Sequence, residues 1–150
     1  MLRSKRFEPI QAIVAAAAQQ LSLTMGEAGR RVADLERQLA QLNGFRDEYA
    51  SKSSGGQGTM DVVKLQNNRA FLDRLGDVLR QHAIKLEAAR SEYERRRVVW
   101  SDKRIEAESL GRAIERFRRE EHYEADQREQ REGDENATRI SIERATRDTD

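Results

Sequence analysis

From Leu65 to Phe117 the chain keeps one seven-residue rhythm. Counted from Leu65, the a positions are Leu65, Leu72, Leu79, Leu86, Tyr93, Trp100, Ala107 and Ile114, and the d positions are Asn68, Leu75, His82, Ala89, Arg96, Lys103, Leu110 and Phe117. Thirteen of these sixteen sites are apolar, aromatic or imidazole, and no proline falls among them. An a/d seam held this long belongs to a helix that supercoils against a partner helix. A lone charged helix supported by i,i+4 pairs has no reason to keep its leucines in phase. Asn68, Arg96 and Lys103 are polar core sites of the kind that set register and partner number at a cost in stability.

A second seam lies upstream. Its d positions are Phe7, Val14, Leu21, Ala28, Leu35, Leu42 and Tyr49, and its a positions are Gln11, Ala18, Met25, Val32, Leu39 and Arg46. Pro9 suits a first helical turn, where its missing N–H costs nothing. The pattern predicts a helix over about 9–50, near 60 Å long at about 1.5 Å per residue, with Gly26 and Gly29 as a soft spot in its middle. The breaker cluster Ser51-Lys-Ser-Ser-Gly-Gly-Gln-Gly58 predicts a turn over 51–59. Thr59 is then an N-cap, with Asp61 complementing the dipole of the second helix. That helix is expected over about 60–131, followed by a polar tail over 132–150 that is disordered beyond about Asn136.

Two helices joined by a short connection lie antiparallel. The fold class is therefore all-α, a long two-helix hairpin closed as a coiled coil, with the whole chain as one domain. With Tyr49 opposite the residues near Val62, Phe7 falls opposite a point near Lys103. On that register Ala107, Leu110, Ile114 and Phe117 continue the seam with no internal partner, and an unpartnered apolar stripe is a docking surface.

Composition narrows the function classes. The chain is 37% charged and 37% hydrophobic, with one proline, no cysteine and a net charge of +1. This is too polar for a compact core and well suited to long helices with narrow seams. The near-neutral balance argues against a nucleic-acid surface, which needs clustered excess of Lys and Arg; Glu92, Glu94 and Asp102 dilute the densest basic run, Arg95-Arg96-Arg97. The basic start and the run Ile13-Val-Ala-Ala-Ala-Ala18 are broken by Glu8 and Pro9 and are short for a signal peptide. No stretch approaches the roughly 20 apolar residues of a membrane span. A cytoplasmic chain is expected.

Catalytic signals are missing. Gly55-Gly56-Gln57-Gly58 supplies no lysine for a phosphate loop. His82 and His122 have no cysteine or metal-ligand spacing around them. The carboxylates sit on solvated faces where nothing raises a pKa. No catalytic residue, cofactor, metal or small-molecule ligand is expected.

The seams are wider than a two-helix coil needs near the turn. Gln38, Leu42, Phe45 and Tyr49 occupy g, d, g and d on the first helix, and Phe71, Leu75, Val78 and His82 repeat that phase on the second. Sites at g flank the core and are normally charged, yet Phe45, Phe71 and Val78 stand there. Two readings are open: these side chains thicken the hairpin's own core, or they form an apolar partner-binding face with Tyr49 and His82 at its rim.

The segment Leu35-Glu-Arg-Gln-Leu-Ala-Gln-Leu-Asn-Gly-Phe-Arg-Asp-Glu-Tyr49, with its Gln-x-x-x-Leu-x-x-aromatic-x-x-x-Tyr spacing, resembles the first helix of the FliJ family of the bacterial flagellar type III export apparatus. Phe71-x-x-x-Leu75-x-x-Val78-x-x-x-His82 resembles the family's second-helix stripe, and Asp134-Glu135-x-Ala137-x-Arg139 its Asp-Glu-x-Ala-x-Arg ending. The likeness covers about residues 8–139. It implies a cytoplasmic, non-catalytic hairpin similar to the central stalk of rotary ATPases, peripheral to the membrane through protein contacts. The implied partners are the flagellar export ATPase ring, the cytoplasmic domain of the export gate membrane protein and other export chaperones. Carried over by residue, the gate-facing stripe is Gln38, Leu42, Phe45 and Tyr49 with Phe71, Leu75, Val78 and His82. The unpartnered seam of Ala107, Leu110, Ile114 and Phe117 is expected to dock in the ATPase ring. From the residues alone, a scaffolding coiled coil that homodimerises is the alternative.

Overall fold

The computed structural model describes residues 1–54 and 62–149. The fold is all-α, as the two seams require: α1 runs Arg3–Ser54 and α2 runs Val62–Arg147, packed against each other with no strand among the described residues. The expected turn falls in part on α1, which stays helical through Ser54; its remainder, with Thr59 and Asp61, lies outside the described residues. The chain divides into two units, Met1–Ala17 with Lys103–Asp150, and Ala18–Asp102. Each contains a stretch of both helices in antiparallel order.

In the unit of Ala18–Asp102, the predicted a and d sites do form the seam. Leu35, Leu86 and Ala89 make its buried cluster, with Val32 and Leu39 packed against them. Leu75 and Leu79 are also buried. Gly29 serves close approach here rather than a soft spot: a Cβ at that position would lie 3.3 Å from the Tyr93 ring. Arg90 closes the flank with an ion pair to Glu36 at 3.1 Å. The d-site Arg96 does not enter the core. It turns out to Glu92 on its own helix, at 2.8 Å, because a guanidinium in a narrow seam cannot recover its hydration.

The register differs from the sequence expectation. Tyr49 stacks on Phe71, with ring centroids 4.5 Å apart, instead of lying beside the residues near Val62. In the other unit, Phe7 packs on Phe117 at 5.5 Å rather than facing Lys103. The shift is roughly three helical turns. α1 takes in residues 51–54, the first part of the expected turn.

The unit of Met1–Ala17 and Lys103–Asp150 therefore has no free seam over 107–117. Val14, Ala107 and Ile114 are buried, and Leu110 and Phe117 are half-buried. Arg3 lies over the Phe117 ring, and Arg118 pairs with Glu8 at 2.6 Å. The stretch of α2 without cover starts later, near His122, and is exposed at nearly every position to Arg147. It is helical where a frayed, disordered tail was expected.

α1 also starts earlier than Pro9, and the reason is a cap supplied from the other helix. The backbone N–H of Ser4 donates to Glu121 Oε1 at 2.9 Å, and the Ser4 hydroxyl donates to Oε2 at 2.7 Å. Both groups belong to the first turn, whose N–H groups have no partner inside the helix and whose dipole favours an anion. The Ser4 N–H, then its hydroxyl, hold the Glu121 carboxyl below its ordinary pKa. A carboxylate with a lowered folded-state pKa stabilises above the ordinary value and loses that contribution as pH falls through the lowered one. Glu121→Gln should thus speed amide exchange in the first turn of α1 at neutral pH. The difference from the unchanged protein should shrink as pH falls through the lowered carboxyl pKa.

Candidate functional site

The turn-proximal end of the Ala18–Asp102 unit gathers one of the two predicted stripes. Leu42, Phe45 and Tyr49 rise at i, i+3 and i+7 on α1, and Phe71, Leu75 and Val78 at i, i+4 and i+7 on α2, so each set lies along one helix face. The two differ in depth. Leu75 is only 9% exposed and belongs to the seam, whereas Phe45 is 58%, Phe71 40% and Val78 39% exposed. Gln38 is exposed, and Leu42 and His82 are half-buried. The g-site side chains thus lie outside the core, with the d-site Leu75 beneath them.

Phe45 and Phe71 are not equivalent. Phe71 gives one face of its ring to Tyr49, whereas Phe45 is the more exposed of the two. At the other end of the stripe, Gln38 and His82 line one cleft with Asp34, Leu35 and Lys85. The Nδ1 atom of His82 is buried there without a hydrogen-bond partner. The same end of the unit carries apolar residues that the heptad reading passed over. Val62 and Val63 open α2 and are exposed; their signal was the apolar pair shortly after the glycine-rich stretch, and Leu65, the first predicted a site, is exposed as well.

The second predicted stripe has a different character. Ala107, Leu110, Ile114 and Phe117 lie together on the inner face of α2, but α1 covers them within their own unit. Their apolar character is used up in holding the helix pair. What that unit offers to solvent is mostly charge, with Ile13, Ile105 and Tyr123 among its exposed apolar and aromatic groups.

The basic run is largely offset where it stands. Arg95 and Arg96 bond to Glu92, and Arg97 to Glu94, all within α2. These guanidinium groups hold both carboxyls below their ordinary values. Three guanidinium groups against two carboxylates leave a surplus of only one positive charge at the triplet, little for a phosphate backbone. Among the described residues no helix is long and apolar enough to cross a membrane.

The depth difference has a direct consequence for stability. Leu75→Ala should cost about 2–5 kcal/mol, as for a buried leucine. Phe45→Ala should move stability by about 0.5 kcal/mol or less. Phe71→Ala should fall between them, because it also loses a ring contact of roughly 0.5–1.5 kcal/mol. Thermal and urea unfolding of the three variants check this order.

Comparison with known proteins agrees with the resemblance read from the heptads. No curated protein and no solved structure matches the chain. The family model of the flagellar FliJ protein matches residues 4–146, nearly the whole of both helices and the turn-proximal stripe between them. The chain belongs to the FliJ family and is a component related to flagellar export.

Proposed function

We propose that this protein is a non-catalytic part of the flagellar type III export apparatus, a stalk-like adaptor between the export ATPase ring and the membrane export gate that also assists export chaperones. The observation that carries the reading is the turn-proximal edge, where Phe45, Phe71 and Val78 stand in solvent above a buried Leu75. Exposed aromatic groups on a rigid helical frame are the side chains that anchor protein interfaces. The frame needs no change of shape to present them.

The gate-facing surface on this reading is Gln38, Leu42, Phe45, Tyr49, Phe71, Leu75, Val78 and His82. Leu42 and Leu75 support it from the seam, and Gln38 and His82 form its polar end. The ring-facing part is the unit of Met1–Ala17 with Lys103–Asp150. There Ala107, Leu110, Ile114 and Phe117 act from inside, keeping two helices together so that their charged outer surface meets the ATPase. The protein works in the cytoplasm, held at the inner face of the membrane through protein contacts and with no cofactor of its own.

Titration of the full chain against the cytoplasmic domain of the export gate protein, and separately against the export ATPase, tests the division of labour. Phe45→Ala and Phe71→Ala should each weaken gate binding by about tenfold or more, the effect of losing an aromatic anchor. ATPase binding should be unchanged. Gate binding that is indifferent to both substitutions would overturn the reading.

A further inference from the structure

The back of α2 carries a feature that neither the seam nor the turn-proximal edge uses. Arg112, Arg116, Arg119, Tyr123, Asp126 and Gln130 follow one another at alternating steps of four and three residues, so they form one straight stripe. Asp134 follows one turn on, at the same side. The seam residues Ile114, Phe117 and Glu121 point the other way, toward α1. Every member of the stripe is exposed, and Tyr123 is 66% exposed. Arg112 reaches Glu108 only at 3.7 Å. Among the described residues Arg116, Arg119, Asp126 and Asp134 have no ion-pair partner at all.

The order of charge along this stripe is what gives it meaning. It is basic for two turns, aromatic once, then polar and acidic for two turns. We propose that the stripe is a self-complementary surface on which a second copy of this chain pairs antiparallel, about a two-fold axis at Tyr123. That axis sets Arg119 against Asp126, Arg116 against Gln130 and Arg112 against Asp134, and by symmetry repeats each pair on the other side. Tyr123 of one copy meets the same residue of its partner at the centre. A parallel pairing would place like charges face to face. The arrangement is isologous, so it closes at two copies and does not propagate.

The stripe lies opposite the seam, so the unit keeps its own helix pairing while the second copy is bound. Exposed ion pairs contribute little each, and the association is weak, becoming populated at about 100 μM and above. It goes beyond the adaptor reading and depends on none of its partners. Its consequence there is that pairing and any docking of this charged face compete for the same side chains.

Sedimentation equilibrium of the full chain tests it, from about 10 to 500 μM, in about 20 mM and then about 500 mM salt. The mass should rise toward a dimer at low salt, with association weakened at least about tenfold at high salt. The triple variant Arg112→Glu, Arg116→Glu and Arg119→Glu leaves the stripe without a basic residue, and Asp126→Arg with Asp134→Arg leaves it without an acidic one. Each should remain monomeric alone, and an equimolar mixture should recover the dimer. Circular dichroism should show unchanged helicity, since all five sites are exposed. A protein that stays monomeric across the range would overturn the proposal. So would association indifferent to salt, or a mixture of the two variants that fails to pair.

Discussion

Two helices in contact share one seam, and a seam has no interior behind it. No large side chain of the described residues is fully buried. That single constraint sorts the rest of the molecule. A side chain at a or d, such as Leu35, Leu75, Leu86 or Ile114, is covered by the facing helix. A side chain one step outside, at g, is covered only on one side, whatever its chemistry. Phe45, Phe71 and Val78 are therefore exposed because the architecture has no place to put them. Natural sequences tolerate such groups singly; several on one edge of one unit give that edge the character of an interface.

The heptads made the fold class legible, since a two-seam pattern of this length has one economical solution. The buried apolar residues in each unit all fall at a or d sites, although Leu65, Tyr49 and Arg96 at such sites are exposed. Register was not legible. Phase repeats every seven residues, so sliding one helix by whole heptads leaves each apolar site facing another apolar site. Only particular contacts distinguish the alternatives: Gly29 making room for Tyr93, Tyr49 against Phe71, Phe7 against Phe117. The same degeneracy hid the fate of Ala107, Leu110, Ile114 and Phe117, which α1 covers. The cap between Ser4 and Glu121 could not be read at all. Its partners are 117 residues apart and neither stands in a local motif.

The candidate site was legible in part for a physical reason. Large apolar residues at g positions break the expected polarity of those sites, and a broken expectation is visible in sequence. Their depth was not, because g sites can lean inward or outward with the side-chain rotamer. Phe71 leans onto Tyr49 and is partly sheltered, whereas Phe45 stands more open. In the other unit the apolar signal and the accessible surface separate. The apolar residues hold the pair, and the charge pattern of α2 faces solvent. The family assignment is consistent with both halves of this picture but rests on the length of the match rather than on either surface.

The central claim is that the turn-proximal edge is a partner surface lying outside the core. Amide hydrogen exchange on the full chain, alone and with the cytoplasmic domain of the export gate, tests it most directly. The expected result is new protection confined to residues 38–49 and 71–82 when the gate domain is added, with the Leu35–Leu86–Ala89 seam protected equally in both states. Protection appearing only elsewhere, or none at saturating gate domain, would contradict it.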